Sequence, residues 1–351
     1  MNLKIFKYFS FYAVFFALLI LPGLVLAQKD RVKTTNKEFD PQSVIMEHIG
    51  DSHSWPVIAN RTIPLPIILF TNKGLEIFSS EQLEPEGSIY KSNNYNYKLE
   101  NNKIKAVNNN GKIDEEASGK IWDFSITRNV ISMLMTTFLL LIVFLSVTSK
   151  YKKSVGKAPK GLQSFMEPLI LFVRNDIAMP NLGVKYERFM PLLLTIFFFI
   201  LINNLFGMIP FFPGGFNLTG NIAVTAVLAV IILLVVNLNG NKYYWKHIFM
   251  PKPWWLFPIM IPVEIVSIFS KPIALMIRLF ANITAGHIVI LSLISLIFIF
   301  QTIWISPVSI IFVVFMDLIE LLVAFLQAYI FTLLSALFIG MAIEEHNHEV
   351  L

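Results

Sequence analysis

The sequence predicts an all-α polytopic membrane protein with about five transmembrane helices, a steeply tilted C-terminal helical hairpin and a small β-rich extracytoplasmic N-terminal domain. Of its 351 residues, 55% are hydrophobic and only 15% are charged, which leaves too little polar surface for a soluble globule of this size. Long apolar segments supply the helices, and a polar stretch supplies the domain. The expected organisation is a signal peptide at 1–27, an extracytoplasmic soluble domain at 28–127 and a membrane domain at 128–351.

The net charge of +5 does not indicate a nucleic-acid-binding protein. Residues 28–127 contain 12 basic and 14 acidic side chains, whereas residues 128–351 contain 14 basic and 9 acidic ones. The basic excess lies in short segments between the expected spans, where it reports membrane topology. Because the chain has no cysteine, disulfides and thiolate metal sites are excluded. We expect neither a cofactor nor a bound metal.

The first 27 residues have the layout of a secretory signal. Two lysines precede an apolar core from Phe9 to Leu21, and Val25-Leu26-Ala27 stands before the polar Gln28. This pattern predicts removal of the segment after Ala27. An uncleaved signal anchor is the alternative, and both interpretations place residue 28 outside the cytoplasm.

Residues 28–127 predict a small β-rich domain. Short β-like runs, Leu65 to Phe70 and Tyr95 to Leu99, are separated by turn residues. Nearby, His48, Asp51 and His53 have ligand-type side chains at close spacing. We interpret them as solvated residues of an exposed loop and not as a metal site. The function of the domain cannot be inferred from its sequence.

Three apolar segments follow, from Val130 to Val147, from Arg188 to about Met208 and from Asn221 to Val236. The first has 18 residues, enough to cross the hydrocarbon core. Residues 161–177 predict an amphipathic helix at the cytoplasmic surface, because charged residues and a proline interrupt its apolar pattern. Lysines mark the cytoplasmic side: Lys150, Lys152, Lys153, Lys157 and Lys160, then Lys242, Lys246 and Lys252.

The region from Trp254 to about Ile343 predicts a helical hairpin. Its natural break, Gln301 to Pro307, leaves two apolar arms of about 40 residues, or about 60 Å if helical. The hydrocarbon core is only about 30 Å thick. Arms of this length must therefore tilt steeply, on the order of 60° from the membrane normal, and they bring the C-terminus to the cytoplasmic side.

Charged residues recur at helical spacing along the first arm. Glu264, Lys271 and Arg278 are seven residues apart, and Asn282 follows the arginine by four. At about 100° per residue these positions drift by only about 20° per step and form one polar stripe. An arginine at bilayer depth costs at least about 2.5 kcal/mol, so Arg278 is a candidate functional residue.

The two arms place polar residues at matching depths. In an antiparallel hairpin, residues at equal depth have numbers with a constant sum; His287 with Glu320 gives 607 and Arg278 with Gln327 gives 605. We therefore expect Glu320 level with His287 and Gln327 level with Arg278. Asp317 should lie about one helical turn from Glu320, on the side of the turn that connects the two arms.

A carboxylate beside an imidazole at membrane depth is suited to passing protons, because their titrations are coupled. His287 and Glu320 are therefore candidates for a proton relay. Arg278 cannot release its proton, so it can act only as a fixed positive charge that blocks protons and holds a passing carboxylate. The alternative is an ion pair within the hairpin that merely neutralises these groups.

Two other classes of function remain as alternatives. A secondary transporter could use Arg278 as an anion site, but inverted repeats and broken helices are not evident in the sequence. A membrane-embedded hydrolase could use Asp317, Glu320 and His287, but the chain has neither an HExxH nor a GxSxG motif. The tail EEHNHE at residues 344–349 is interpreted as a solvated end.

Two motifs carry a family resemblance. IRLFANITAG at residues 277–286 is followed some 40 residues later by ELLVAFLQAYIF at residues 320–331. With Gly161, Gln163 and Glu167 in support, the stretch from about 120 to 346 resembles subunit a of the F-type ATP synthases, the stator channel protein of that membrane motor.

The resemblance implies roles for the polar residues and a set of partners. It makes Arg278 the essential arginine opposite the carboxylate of the rotor ring, with Gln327 and Asn282 as polar companions. Glu320 and His287 would line the outer half-channel and Glu264 the cytoplasmic half-channel; Lys271 and Asp317 are less closely matched. It further implies a ring of c subunits, peripheral stalk b subunits and lipid as partners. The chain would not be catalytic alone and would reside in the bacterial inner membrane.

Three features depart from the family pattern. Many members carry the acid and the imidazole the other way round at the positions of His287 and Glu320, a swap that equal depth makes tolerable. Met276 stands where a small residue is usual, so we expect it to alter how closely the helix approaches the rotor. Residues 28–120 lie outside the usual family core, and the resemblance implies nothing about them.

Overall fold

The computed structural model describes residues 50–58, 61–84, 88–92, 94–100, 103–108, 111–153, 158–209, 214, 218–249, 257–300 and 304–344. The expected signal peptide and His48 lie outside these residues. The chain divides into two compact units. The first unit comprises residues 1–135, 206–216 and 288–317, and the second comprises residues 136–205, 217–287 and 318–351.

The first unit contains the expected β-rich region. Its antiparallel strands form sheets with the orders β1-β2, β4-β3-β8 and β5-β6-β7. The strands are β1 (Ser54–Ile58), β2 (Arg61–Pro64), β3 (Pro66–Thr71), β4 (Gly74–Ser79), β5 (Ile89–Lys91), β6 (Asn96–Glu100), β7 (Lys103–Val107) and β8 (Trp122–Asp123). Both strands expected from the sequence are present, as β3 and β6.

Alternation along β3 explains how the β-rich region packs. Ile67 and Leu69 are fully buried and contact Tyr97 of β6 in one apolar cluster, whereas Phe70 is exposed. Gly74 closes the β3-β4 turn at φ 129°, a conformation that favours glycine. His53 is also buried, at 6% exposure, so its expected position in a solvated loop is wrong; it lies beside Asp123, with Nε2 3.6 Å from Oδ2.

The remainder of the described chain is mostly helical. Five helical segments are long and apolar enough to cross a membrane, as expected from the sequence. The helices are α1 (Arg128–Lys153), α2 (Leu162–Phe172), α3 (Tyr186–Gly207), α4 (Ile222–Asn239), α5 (Lys242–Phe249), α6 (Phe257–Phe300) and α7 (Ile305–Ile343). Helices α6 and α7 are the two overlong arms. Helix α6 ends at Phe300 and α7 begins at Ile305, which agrees with the break expected at Gln301 to Pro307.

The segment expected to be a separate surface helix runs almost without interruption into the second span. Helix α2 continues through a π-helical turn, Val173–Ala178, and two short turns into α3. Gly183, at φ 56°, marks the change of direction before α3. Pro168 lies inside α2 and does not end it.

The core of the second unit is apolar and rich in aromatic side chains. Phe197 and Phe198 of α3 pack edge-to-face with ring centroids 5.2 Å apart, and they join Leu279 of α6 and Phe331 of α7 in one buried cluster. This packing fixes the orientation of α6 in the second unit and thereby decides which of its faces is buried.

Candidate functional site

Arg278 lies on an exposed face of α6. Leu275, Leu279 and Ile283, at four-residue spacing, are 1–3% exposed and pack into the core of the second unit. Arg278 and Asn282 share the same spacing about 100° around the helix from Leu279 and Ile283, and they are exposed. Among the described residues, none forms a hydrogen bond or an ion pair with Arg278. The guanidinium is therefore presented outward, toward whatever adjoins this face.

Small side chains surround the arginine on this face. Ala274, Ala281 and Ala285 are exposed with Arg278, at three- and four-residue spacing. Rows of small residues allow a neighbouring helix to approach closely in a membrane. Met276 is two positions from Arg278, which puts it about 160° around the helix, and it is only partly exposed. Met276 therefore lies away from the Arg278 face, and its effect on close approach to a rotor stays a prediction.

His287 and Glu320 meet in the second unit. The Nδ1 atom of His287 lies 3.1 Å from Oε1 of Glu320, with the side chains 17% and 6% exposed. This confirms the expected pairing at equal depth of the two arms. A Cβ atom added at Gly286 would lie 3.3 Å from Oε1 of Glu320, so this glycine leaves the space that the carboxylate occupies. The pair has the geometry for proton exchange.

A buried polar chain approaches the level of this pair. Thr219 donates to Oδ1 of Asn204 at 2.7 Å, and Nδ2 of Asn204 donates to the carbonyl oxygen of Ala324 at 3.2 Å. Ala324 is one turn from Glu320 on α7. Asn204 of α3 is therefore hydrogen-bonded to the backbone of α7.

Gln327 of α7 is buried. Its side chain is 4% exposed, whereas Arg278 is exposed. No hydrogen bond joins the two within the described chain. The sequence argument placed them at one depth, and the structure adds that Gln327 lies inside the second unit while Arg278 lies at its surface.

At the N-terminal end of the polar stripe of α6, Glu264 lies beside a histidine. Glu264 is partly exposed, and its Oε1 lies 3.6 Å from Nδ1 of His247 on α5. His247 was not expected at this site, because the basic segment around it indicates only membrane topology when the sequence is considered alone. Tyr244 is close by; burial and the neighbouring charge of Glu264 raise the pKa of its phenol.

Lys271 lines a small open pocket between α4, α6 and α7. The amino group lies 5.6 Å from the centre of the Phe338 ring, a cation–π arrangement that suits a lysine in an apolar setting. Asn237 and Tyr244 add polar atoms to a wall that is otherwise apolar, and the Tyr244 hydroxyl contacts Oδ1 of Asn237 at 3.3 Å. Lys271 is thus partly covered by the helices around this pocket, whereas Arg278 is exposed.

Asp317 falls in the first unit and not with Glu320. It is 8% exposed, and its Oδ2 atom has no hydrogen-bond partner among the described residues. The structure therefore brings together His287 with Glu320, and Glu264 with a histidine not foreseen.

The chain is similar to known proteins over most of its length. Residues 130–340 match the family described as ATP synthase A chain, and residues 44–124 match a domain of unknown function (DUF8433). The ATP synthase subunit a of Chloroherpeton thalassium is 50% identical over 233 residues, which is 65% of this chain and 69% of that protein. The ATP synthase subunit a 2 of Prosthecochloris aestuarii is 47% identical over 235 residues, 65% of this chain and 72% of that protein.

The matched region includes α6 and α7 up to residue 340 and therefore every candidate site residue named above. Since it also covers more than half of the 351 residues, the chain belongs to the ATP synthase A chain family.

Proposed function

We propose that this chain is the proton-translocating subunit of the membrane sector of an F-type ATP synthase, with two offset half-channels that load and unload protons on a rotor ring. It is not catalytic by itself. The observation that carries the proposal is an arginine exposed among small residues on one face of a membrane helix, combined with a buried acid–imidazole pair in the same unit. The membership of the family supports it, and a secondary transporter is not favoured.

The exposed position of Arg278 calls for a partner. A guanidinium facing lipid is costly, whereas a carboxylate on a partner helix would compensate its charge by paired hydrogen bonds. Ala274, Ala281 and Ala285 let such a helix approach closely. We assign this face to the rotor ring of c subunits, with Asn282 one turn away as a polar companion. Gln327 supports the hairpin at this depth from inside.

Protons enter past His287 and Glu320. The 3.1 Å contact allows one proton to be held between imidazole and carboxylate, so that a proton from outside can be passed on toward the ring. The polar chain from Thr219 through Asn204 extends the hydrophilic environment on the same level of α7. Asp317 belongs to the outer approach in this proposal.

Protons leave past Glu264, with His247 beside it, and Lys271 keeps the neighbouring pocket positive. Arg278 separates the two routes, because a group that keeps its proton cannot conduct one, and it drives each arriving ring carboxyl to ionise. The transmembrane potential contributes about 2.3 kcal/mol per charge per 100 mV. The titratable His287 and Glu320 favour protons over sodium as the transported ion.

The setting of the proposal is the bacterial inner membrane. The N-terminal domain lies outside the cytoplasm and the C-terminus inside, in keeping with the lysine-rich segments after the first and third spans. Peripheral stalk b subunits hold the chain against rotation, and the lipid bilayer surrounds the faces not covered by partners.

The test is the replacement of Arg278 by alanine in the complete synthase, in inverted membrane vesicles. We expect proton-driven ATP synthesis to be abolished, while the complex still assembles, since Arg278 forms no hydrogen bond or ion pair with the described residues. Ile277→Ala, an exposed neighbour on α6, is the matched control and should keep most of the activity. Full synthesis by the Arg278→Ala vesicles would refute the proposal.

A further inference from the structure

The sheet β4-β3-β8 has one apolar face that the described residues do not cover. In register, Leu75 and Trp122 flank Phe70, and Ile77 lies opposite Ile68. The next step of the same register places Phe124 on the other side of Ile68, where its amide donates to the Ile68 carbonyl oxygen at 2.9 Å. The apolar face is defined by these six residues: Ile68, Phe70, Leu75, Ile77, Trp122 and Phe124.

Five of these six side chains are mostly exposed. The exposed fractions are 55% for Phe70, 58% for Leu75, 63% for Ile77, 67% for Trp122 and 63% for Phe124. With side-chain areas of about 150–250 Å² for large residues, the apolar face presents on the order of 600 Å². Patches of this size stand at the upper end for monomers and mark interaction sites.

The apolar face is attached rigidly to the start of the first span. The Ile126 amide donates to the Pro66 carbonyl oxygen at 3.1 Å, and the Arg128 amide donates to that of Ser52 at 2.9 Å. The Asn129 amide donates to Oδ1 of Asp51 at 3.1 Å. The segment between β8 and α1 is therefore bonded to the β-rich region along its length and is not a free tether.

Only a short distance separates the apolar face from the hydrocarbon core. The apolar part of α1 begins at Val130, six residues after Phe124, which is at most about 20 Å of chain. Trp122 and Phe124 thus occupy the sequence position of an interfacial aromatic belt, where aromatic side chains sit at the headgroup level. The β-rich region cannot move away from this level without breaking the hydrogen bonds to Arg128 and Asn129.

We propose that the apolar face lies on the lipid surface at the Arg128 end of α1 and orients the β-rich region on the membrane. A protein partner is less suited, because about 800 Å² per side is usual for a stable protein interface and only Trp122 among the six residues has a hydrogen-bonding side chain. Binding to a lipid surface requires neither an interface of that area nor several hydrogen-bonding side chains. The covalent link to α1 already keeps the two together, so shallow burial of six side chains suffices to fix the orientation.

Site-specific fluorescence in vesicles tests the proposal. The chain has no cysteine, so single cysteines can be introduced at exposed positions of the full-length chain: Ile77→Cys on the apolar face, and Glu116→Cys, at a side chain that is 85% exposed, as the control. Both variants are labelled with a polarity-sensitive dye in vesicles of phosphatidylcholine and phosphatidylglycerol. Brominated lipid and aqueous iodide serve as quenchers.

We expect brominated lipid to remove more than half of the fluorescence at position 77 and to leave that at position 116 nearly unchanged. Iodide should quench the dye at position 116 more strongly than the dye at position 77. Iodide quenching at position 77 without lipid quenching would show a solvated face and overturn the proposal. Shielding from both quenchers would also overturn it. In that case, energy transfer between differently labelled chains would identify a second copy as the cover, and its absence would point to the N-terminal residues of the same chain.

Discussion

The Glu320 carboxylate lies 3.1 Å from Nδ1 of His287, and the space it occupies exists because residue 286 has no side chain. Two positions on α6 therefore shape this one contact with α7: a histidine supplies the proton-exchanging ring, and the preceding glycine supplies room. The swapped order of acid and imidazole leaves the pair intact, because a relay requires contact between the groups and not a particular helix for each.

Exchanging the pair tests whether the two residues act together. The double variant His287→Glu with Glu320→His should retain more ATP-driven proton pumping than either single alanine variant, which we expect to lose about tenfold or more. Pumping is measured in inverted vesicles by the quenching of a pH-sensitive dye. If the double variant is no better than the single variants, the residues do not work as a pair.

Substitutions at Gly286 should act through the carboxylate of Glu320. A Cβ atom would lie 3.3 Å from Oε1, so Gly286→Ala should reduce pumping mildly. Gly286→Val should reduce it strongly, since overpacking costs about 1–3 kcal/mol or displaces the acid. Val289→Ala, at a position 40% exposed, is the control. Equal pumping by the alanine and valine variants would contradict this role.

Gly340 should be essential for the packing of the second unit. A Cβ atom added there would lie 2.1 Å from the backbone carbonyl oxygen of Asn181, and backbone cannot yield as a flexible side chain can. We expect Gly340→Ala to lower the free energy of unfolding of the detergent-solubilised chain by about 1–3 kcal/mol. Leu337→Ala, at an exposed position of the same helix, should have a smaller effect, and the opposite order would refute this assignment.

The contact between Asp123 of β8 and His53 should make the stability of the β-rich region sensitive to acid. Burial alone would raise the pKa of Asp123, but its contacts with His53 and Ser125 outweigh burial and lower that pKa. A depressed carboxyl pKa stabilises the fold above the unfolded value, and the contribution is lost as pH falls through the folded pKa. The loss is therefore expected in the acid range, below the ordinary aspartate pKa of about 3.9.

Hydrogen exchange of strand β3 in the full-length chain measures this effect. Amide protection should fall with decreasing pH after correction for the intrinsic exchange rate. In Asp123→Asn, which keeps the shape without the charge, protection should depend less on pH. An unchanged pH dependence in this variant would show that another group is responsible.

The sequence by itself determined the number of spans, the two overlong arms and the pairing of His287 with Glu320. These follow from runs of apolar residues and from the regular rise and rotation of a helix, which are local properties of the chain. The β strands at residues 66–71 and 96–100 were equally visible, because alternation and turn residues are local signals. No local pattern of this kind indicated that the side chain of Arg278 is exposed.

Tertiary structure alone decided which face of each element is covered. Periodicity placed Glu264, Lys271 and Arg278 on one stripe, but packing against α4 and α5 puts Lys271 on a pocket and Glu264 beside His247, while Arg278 is left exposed. His53 likewise changed from an expected loop residue to a buried one, because Asp123 joins it from 70 residues away. Such contacts depend on how distant segments pack, and a local pattern carries no information about them.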